Sequence, residues 1–161
     1  MKPKLIVTLA LGAFVAASVV YIVVGQADKG TPKNTARADG KGPKERLVVY
    51  YFHRTRRCPG CKNLEKLARE TLGRSYAKEL ESGLVELQSL NLEDKANEAF
   101  VTRYEIYGST LVLSVVVDGK EKSHKSLEKA FELKFAPEPF DAYFKGEIEA
   151  LLAPLRAKAK S

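Results

Sequence analysis

A chain of 161 residues, 45% hydrophobic and 29% charged, is long enough for one modest domain with its own core, and one globular domain is expected. Two cysteines allow a single intrachain disulfide, which excludes a disulfide-stapled scaffold. The net charge of +7 comes from Lys and Arg scattered along the chain, so it reads as a solvated basic exterior; a phosphate-binding surface is the competing reading, and no nucleic-acid partner is expected.

Leu5 to Val24 is an uncharged apolar run of 20 residues behind Lys2 and Lys4, enough to span the hydrocarbon core as a helix. A retained membrane anchor is the favoured reading. Gly25-Gln26-Ala27 supplies small residues at the spacing a signal peptidase accepts, so a protein secreted after cleavage near Ala27 is the alternative. Lys29, Lys33 and Arg37 on the far flank nearly balance Lys2 and Lys4. Orientation is therefore taken from the export-signal character of a short basic tip before an apolar run, which puts the domain on the extracytoplasmic side. From Gly25 to Arg46 there is no large apolar residue, and such a segment cannot offset its ordering entropy. The expected organisation is an anchor or signal at 1–24, a flexible linker at 25–46, a folded domain at 47–157 and a basic tail at 158–161, with the chain frayed from Arg156 onward.

Leu47 to Phe52 is a continuous β-branched and aromatic run, as expected of a strand buried on both faces. Leu64, Leu67, Ala68, Leu72, Tyr76 and Leu80 recur at three- and four-residue spacing and predict one amphipathic helix ending near Ser82-Gly83. Leu84 to Leu92 reads as a second strand, and Asp94 to Tyr104 as a short helix with Asp94 as a first-turn acid. Thr110 to Val117 is the strongest strand signal. It runs into Asp118-Gly119, a favoured hairpin turn, so Lys120 to Lys125 should pair antiparallel with it as a charged edge strand. A helical turn or two follows over Ser126 to Lys134. Pro137 and Pro139 then introduce a last helix with Phe140, Tyr143, Phe144, Ile148, Leu151, Leu152 and Leu155 on one face. A βαβ unit followed by a hairpin requires a mixed sheet, with helices expected on both faces.

The two cysteines, Cys58 and Cys61, stand where the first strand gives way to the helix, two residues apart and so able to close a small reversible disulfide ring. Three readings stay open: dithiol exchange, metal binding and a permanent structural disulfide. A ring this short restricts the unfolded chain little and makes a poor staple.

The order of elements, with Cys-x-x-Cys after the first strand, resembles a thioredoxin-like domain over Leu47 to about Leu155. Tyr104-x-Ile106-x-Gly108-Ser109-Thr110-Leu111 before the hairpin resembles the matching thioredoxin segment. More narrowly, Tyr50-Tyr51-Phe52-His53-x-x-x-Arg57-Cys58-Pro59-x-Cys61-Lys62 is similar to a small bacterial thioredoxin-like family labelled as a nitrophenyl-compound nitroreductase subunit, although no Gly-x-Gly-x-x-Gly nucleotide motif is present. The resemblance implies an α/β three-layer sandwich around a mixed four-stranded sheet, and thiol-disulfide exchange with a protein disulfide or dithiol, without a dissociable cofactor.

A thiol at a helix N-terminus faces the positive end of the macrodipole, which favours thiolate. Cys58 is accordingly the expected nucleophile and Cys61 the resolving thiol, with Arg56, Arg57 and Lys62 adding positive charge. Two departures from the thioredoxin pattern stand out. Gly108-Ser109-Thr110 occupies the place of the family's cis-proline, leaving the Gly108 to Leu111 backbone as the partner's docking edge. Leu47 to His53 also lacks the buried acid that assists the resolving thiol, with His53 and Tyr51 as candidate stand-ins. Cys58, Cys61 and His53 form the alternative metal set, for Cu(I) or Zn(II), although no fourth ligand is evident. His124 is expected as a solvated surface residue; the aromatic and aliphatic rows elsewhere are expected as core, with Tyr104 and Tyr107 as candidate exceptions that would line the surface beside Cys58.

Overall fold

The computed structural model describes residues 43–159. The expected anchor at Leu5 to Val24 and most of the linker lie outside these residues; among the described residues no helix is long and apolar enough to cross a membrane.

The first strand, β1 (Glu45–His53), is the centre of the domain. Its residues are apolar without interruption from Leu47 to Phe52, and both of its faces are covered. Leu47, Val49 and Tyr51 enter one core and Val48, Tyr50 and Phe52 enter the other. Period-two alternation thus divides one strand between two packing layers. Helix α1 (Pro59–Ser75) follows, then α2 (Ala77–Ser82) and strand β2 (Val85–Asn91), which runs parallel to β1. A single 3₁₀ turn (Lys95–Asn97) and helix α3 (Glu98–Tyr104) lead to β3 (Thr110–Val117). Strand β3 is antiparallel to β1 and pairs in turn with β4 (Lys120–Ser126). Helix α4 (Glu128–Glu132), a 3₁₀ turn (Leu133–Phe135) and the long α5 (Pro137–Ala159) complete the chain.

The sheet order is β2-β1-β3-β4, mixed and four-stranded, as the thioredoxin-like resemblance implies. The larger core lies between the sheet and the α1, α4 and α5 side chains, where Leu64, Phe140, Phe144, Ile148 and Leu152 are wholly buried. Each such side chain stabilises the fold by about 1.5–3 kcal/mol through burial. The other face carries Phe100, Tyr104 and Ile106 over Tyr50, Phe52, Val112 and Val116, with aromatic centroids 5.2–6.1 Å apart.

Three expectations are corrected. The helix predicted to run unbroken to Ser82 is interrupted at Tyr76, whose φ of −133° leaves helical geometry while its ring is buried in the larger core. Gly83, at φ 77°, then ends α2 in the left-handed conformation that glycine adopts without strain. The C-terminus is not frayed from Arg156: α5 continues to Ala159, Arg156 joins Glu79 at 2.6 Å and Glu149 at 2.8 Å, and Lys158 reaches Glu45 at 3.1 Å. Those ion pairs hold a turn that sequence position alone suggested was loose.

The third correction concerns Tyr104, which does not line the surface beside Cys58. It is 6% exposed, sits in the smaller core, and its hydroxyl donates to the Glu121 carboxylate. Burial, reinforced by that carboxylate, pushes its phenol far above the usual range. Glu121 also accepts from Ser114 at 2.7 Å and pairs with Arg103 and His124. His124 is exposed, as expected, and is edge-on to the Tyr104 ring at 4.7 Å. The Asp118-Gly119 turn has φ of 49° and 76°, which makes it the primed hairpin that its sequence favours.

Candidate active site around the Cys58–Cys61 disulfide

Cys58 and Cys61 are joined as a disulfide with Cα atoms 5.1 Å apart. Helix α1 starts here because Pro59 takes the first helical position, where its missing N–H costs nothing and its φ is already helical. Cys58 is the N-cap, and its Sγ accepts from the Cys61 backbone N–H at 3.1 Å. That N–H belongs to the first turn, whose donors have no intrahelical partners. Cys58 is exposed and Cys61 partly buried.

Three segments meet around this pair. Tyr51, wholly buried on β1, sends its hydroxyl to the Cys61 carbonyl at 2.6 Å and also engages the Ser109 hydroxyl. Burial pushes its phenol up, so Tyr51 stays a neutral donor. Ser109 thus reaches the site through Tyr51. Thr110, half-buried, opens β3 opposite Phe52. The described residues contain no cis peptide bond.

His53 caps the same strand and is buried. A guanidinium can only donate, so the 2.5 Å contact with Arg57 makes His53 Nε2 the acceptor and leaves Nδ1 to donate to the Arg54 carbonyl at 3.0 Å. Both ring nitrogens are therefore committed. No group of three or more His, Cys, Asp or Glu side chains among the described residues is arranged to hold a metal, so His53 is not gathered with the two sulfurs into the alternative metal set.

The expected basic collar proves to be two kinds of cation. Arg57 is half-buried; besides His53 it pairs with the Glu65 carboxylate and lies 6.0 Å from the Tyr51 ring centroid. Arg69 binds Glu65 from the next turn at 2.7 and 3.1 Å. Burial opposes ionisation of Glu65, but the Arg69 hydrogen bond and the charges of Arg57 and Arg69 outweigh it and hold the carboxyl below its usual range. The charge of Arg57 is thus compensated within the cluster, whereas Arg56 and Lys62 are exposed and make no ion pair among the described residues.

Glu65, one turn along the helix from Cys61, is a partly buried acid that the sequence reading did not single out; its partners are Arg57 and Arg69. The i, i+4 spacing of Glu65 and Arg69 was the available signal for it. Lys134 and Phe135 also escaped the sequence reading. The Lys134 side chain lies over Gly60, where an added Cβ would come within 2.7 Å of it, and the Phe135 ring would be 3.5 Å from the same point. Lys134 Nζ is 4.1 Å from the Phe131 ring centroid and bonds the Phe131 carbonyl at 3.0 Å. Tyr107 is exposed, as expected of a surface residue, and its carbonyl accepts from Arg54 at 2.8 Å.

No family model matches the chain and no curated protein matches it. Among solved structures it is similar to a malarial protein at 16% identity and a TM-score of 0.39, over 63% of this chain and 96% of that one. It is similar to reduced desulfothioredoxin from Desulfovibrio vulgaris Hildenborough at 20% identity and a TM-score of 0.39, over 63% and 81%. Thioredoxin O2 from Arabidopsis thaliana in the oxidised state matches at 18% identity and a TM-score of 0.37, over 67% and 82%. The narrower resemblance to a nitroreductase subunit finds no support among these matches. The thioredoxin-like assignment of the fold rests on this chain's own sheet order and on where its cysteines stand.

Proposed function

We propose that the chain is a membrane-tethered, extracytoplasmic thiol-disulfide oxidoreductase that exchanges disulfides with a protein partner through Cys58 and Cys61. The observation that carries this reading is the exposed Cys58 sulfur, disulfide-bonded to Cys61 at the N-cap of α1, where it accepts a first-turn N–H. The helix terminus favours negative charge on that sulfur, so Cys58 is the better leaving and attacking group of the two.

In the oxidising direction a partner thiolate attacks Cys58 Sγ, the Cys58–Cys61 bond breaks, and Cys61 leaves as a thiolate that takes up a proton. A second partner thiolate then attacks the partner sulfur of the mixed disulfide, releasing Cys58 as thiolate and leaving the partner oxidised. In the reducing direction the Cys58 thiolate attacks a partner disulfide, and Cys61, deprotonated, closes the ring and expels the second partner thiolate. Tyr51 holds the Cys61 carbonyl in the oxidised form.

Trapping in cells with Cys61→Ser tests the reading. A mixed disulfide through Cys58 is expected; no adduct under any redox condition, together with insulin reduction unaffected by Cys58→Ser, would refute it in favour of an accessory binding module. The tether and its side are tested separately by adding protease to intact cells or spheroplasts. Cleavage of the domain is expected, and full protection would place it on the other side.

A further inference from the structure

Tyr107 and Phe135 are the two large hydrophobic side chains left exposed among the described residues, at 79% and 67%. Exposed apolar residues scattered over a surface need no explanation, but the segments that carry these two are each joined to the 54–62 loop that carries the disulfide. Phe135 lies against Gly60, between the two cysteines. Tyr107 stands next to the Gly108-Ser109 loop, its carbonyl accepting from Arg54, four residues before Cys58. They come from separate segments, one after α4 and one before β3, the first packed on Gly60 and the second bonded to Arg54 of the same loop. The segment from Arg54 to Lys62 contains Arg54, Arg56, Arg57 and Lys62 and no carboxylate of its own; Glu93 reaches it from outside, accepting from the Thr55 N–H at 3.4 Å and facing the Arg54 charge. Arg57 is compensated by Glu65, but Arg56 and Lys62 project without ion-pair partners among the described residues.

We infer that this surface selects an acidic polypeptide: one whose reactive cysteine is flanked by an apolar or aromatic side chain that fits against Tyr107 or Phe135 and by carboxylates that meet Arg56 and Lys62. The inference rests on the thiol-exchange reading and names its substrate class. Apolar contact at the aromatic pair supplies orientation, and the uncompensated cations supply the long-range attraction that raises encounter rates. The occupant is a protein chain because it has to present both an apolar side chain and carboxylates to groups from separate segments, which a small disulfide does not carry.

The test uses the full chain in detergent, reduced and carrying Cys61→Ser, so that only Cys58 attacks. The probes are cysteine peptides capped as mixed disulfides with thionitrobenzoate, with the sequence around the cysteine aromatic and acidic, aromatic and basic, or Gly/Ser only. The Cys58 thiolate attacks the peptide sulfur, the peptide–thionitrobenzoate bond breaks, and the coloured thionitrobenzoate anion that leaves is counted. Every rate is divided by that of the mercaptoethanol–thionitrobenzoate disulfide, which reads the intrinsic reactivity of Cys58. The acidic aromatic peptide should react about tenfold faster than the basic one, with the ratio falling as salt is raised, as expected of a steered encounter. Arg56→Gln with Lys62→Gln should abolish the discrimination by charge, and Tyr107→Ala or Phe135→Ala the preference for the aromatic over the Gly/Ser peptide. Equal normalised rates, or a faster basic peptide, would overturn the inference. Failure of the mercaptoethanol reference to react would instead overturn the exchange reading beneath it.

Discussion

Arg57 and Glu65 have opposite charges, act on the same sulfur and should therefore shift its chemistry in opposite directions. Glu65 lies seven residues beyond Cys58 in α1, which at 1.5 Å per residue is about 10 Å along the helix. At an effective dielectric of about 20–40 two charges at that separation interact by about 0.8–1.7 kcal/mol, and physiological salt reduces this about threefold. The remaining ~0.5 kcal/mol is about a twofold change in the acid dissociation constant of reduced Cys58. It also corresponds to about 10 mV in the two-electron potential. Arg57 is next to Cys58 in the chain but partly exposed, so the ceiling for an exposed pair, about 1 kcal/mol, applies to it. This is about fivefold in the dissociation constant and about 20 mV. Stabilising the thiolate stabilises the reduced form. Arg57→Gln is therefore expected to lower both the dissociation constant and the potential, Glu65→Gln to raise both, and the double variant to fall between them. The pH dependence of Cys58 alkylation and equilibration against glutathione read the two quantities. An Arg57→Gln potential equal to the parent's, or a Glu65→Gln shift in the same direction as Arg57→Gln, would refute the compensation argument.

Other consequences concern stability. Phe144→Ala removes a wholly buried ring from the larger core and should cost about 3–5 kcal/mol. At about 4 °C per kcal/mol this lowers Tm by about 12–20 °C in a thermal melt. Tyr51→Phe deletes the 2.6 Å bond to the Cys61 carbonyl and should cost about 1 kcal/mol in denaturant unfolding, with a larger loss in the reduced protein if the bond also orients the free thiol. Gly119→Ala meets open space but must hold φ at 76°, so strain alone should destabilise the hairpin by about 1 kcal/mol. The folded-state pKa of Glu65 lies below its ordinary value of 4.5, so its contribution is complete above that value and disappears as pH falls through the folded pKa. Melts between pH 6 and pH 3, a window of about one unit or more either side of the ordinary Glu value, should show a steeper loss for the parent than for Glu65→Gln.

The strands were legible because their signals are local. Thr110 to Val117 is a β-branched run bounded by Asp118-Gly119, and the strand found has those limits. The dithiol was legible because two cysteines at one helix start allow few readings. What the sequence hid were the contacts between distant segments. Tyr76 fits helical spacing, yet burial of its ring outweighs helix continuity. Arg57 looks like Arg56 in the sequence and differs only because α1 brings Glu65 beside it. Phe135 reads as one more core aromatic until the 3₁₀ turn at Leu133–Phe135 turns it out against Gly60. Tyr104 is the converse case: proximity in sequence to the Ser109 loop suggested the surface, and Glu121 on the far strand holds it inside.

Strand β1 is hydrogen-bonded on both edges and packed on both faces, and the disulfide loop leaves directly from its end. Opening the redox loop therefore requires no opening of the strand that carries it. The slowest-exchanging amides of the domain should lie in β1, with the same protection in the oxidised and reduced forms, while those of residues 54–62 change with redox state. The sulfurs can then cycle at the edge of a scaffold that keeps no record of their state, and any signal of oxidation must pass outward to the partner through the loop surface.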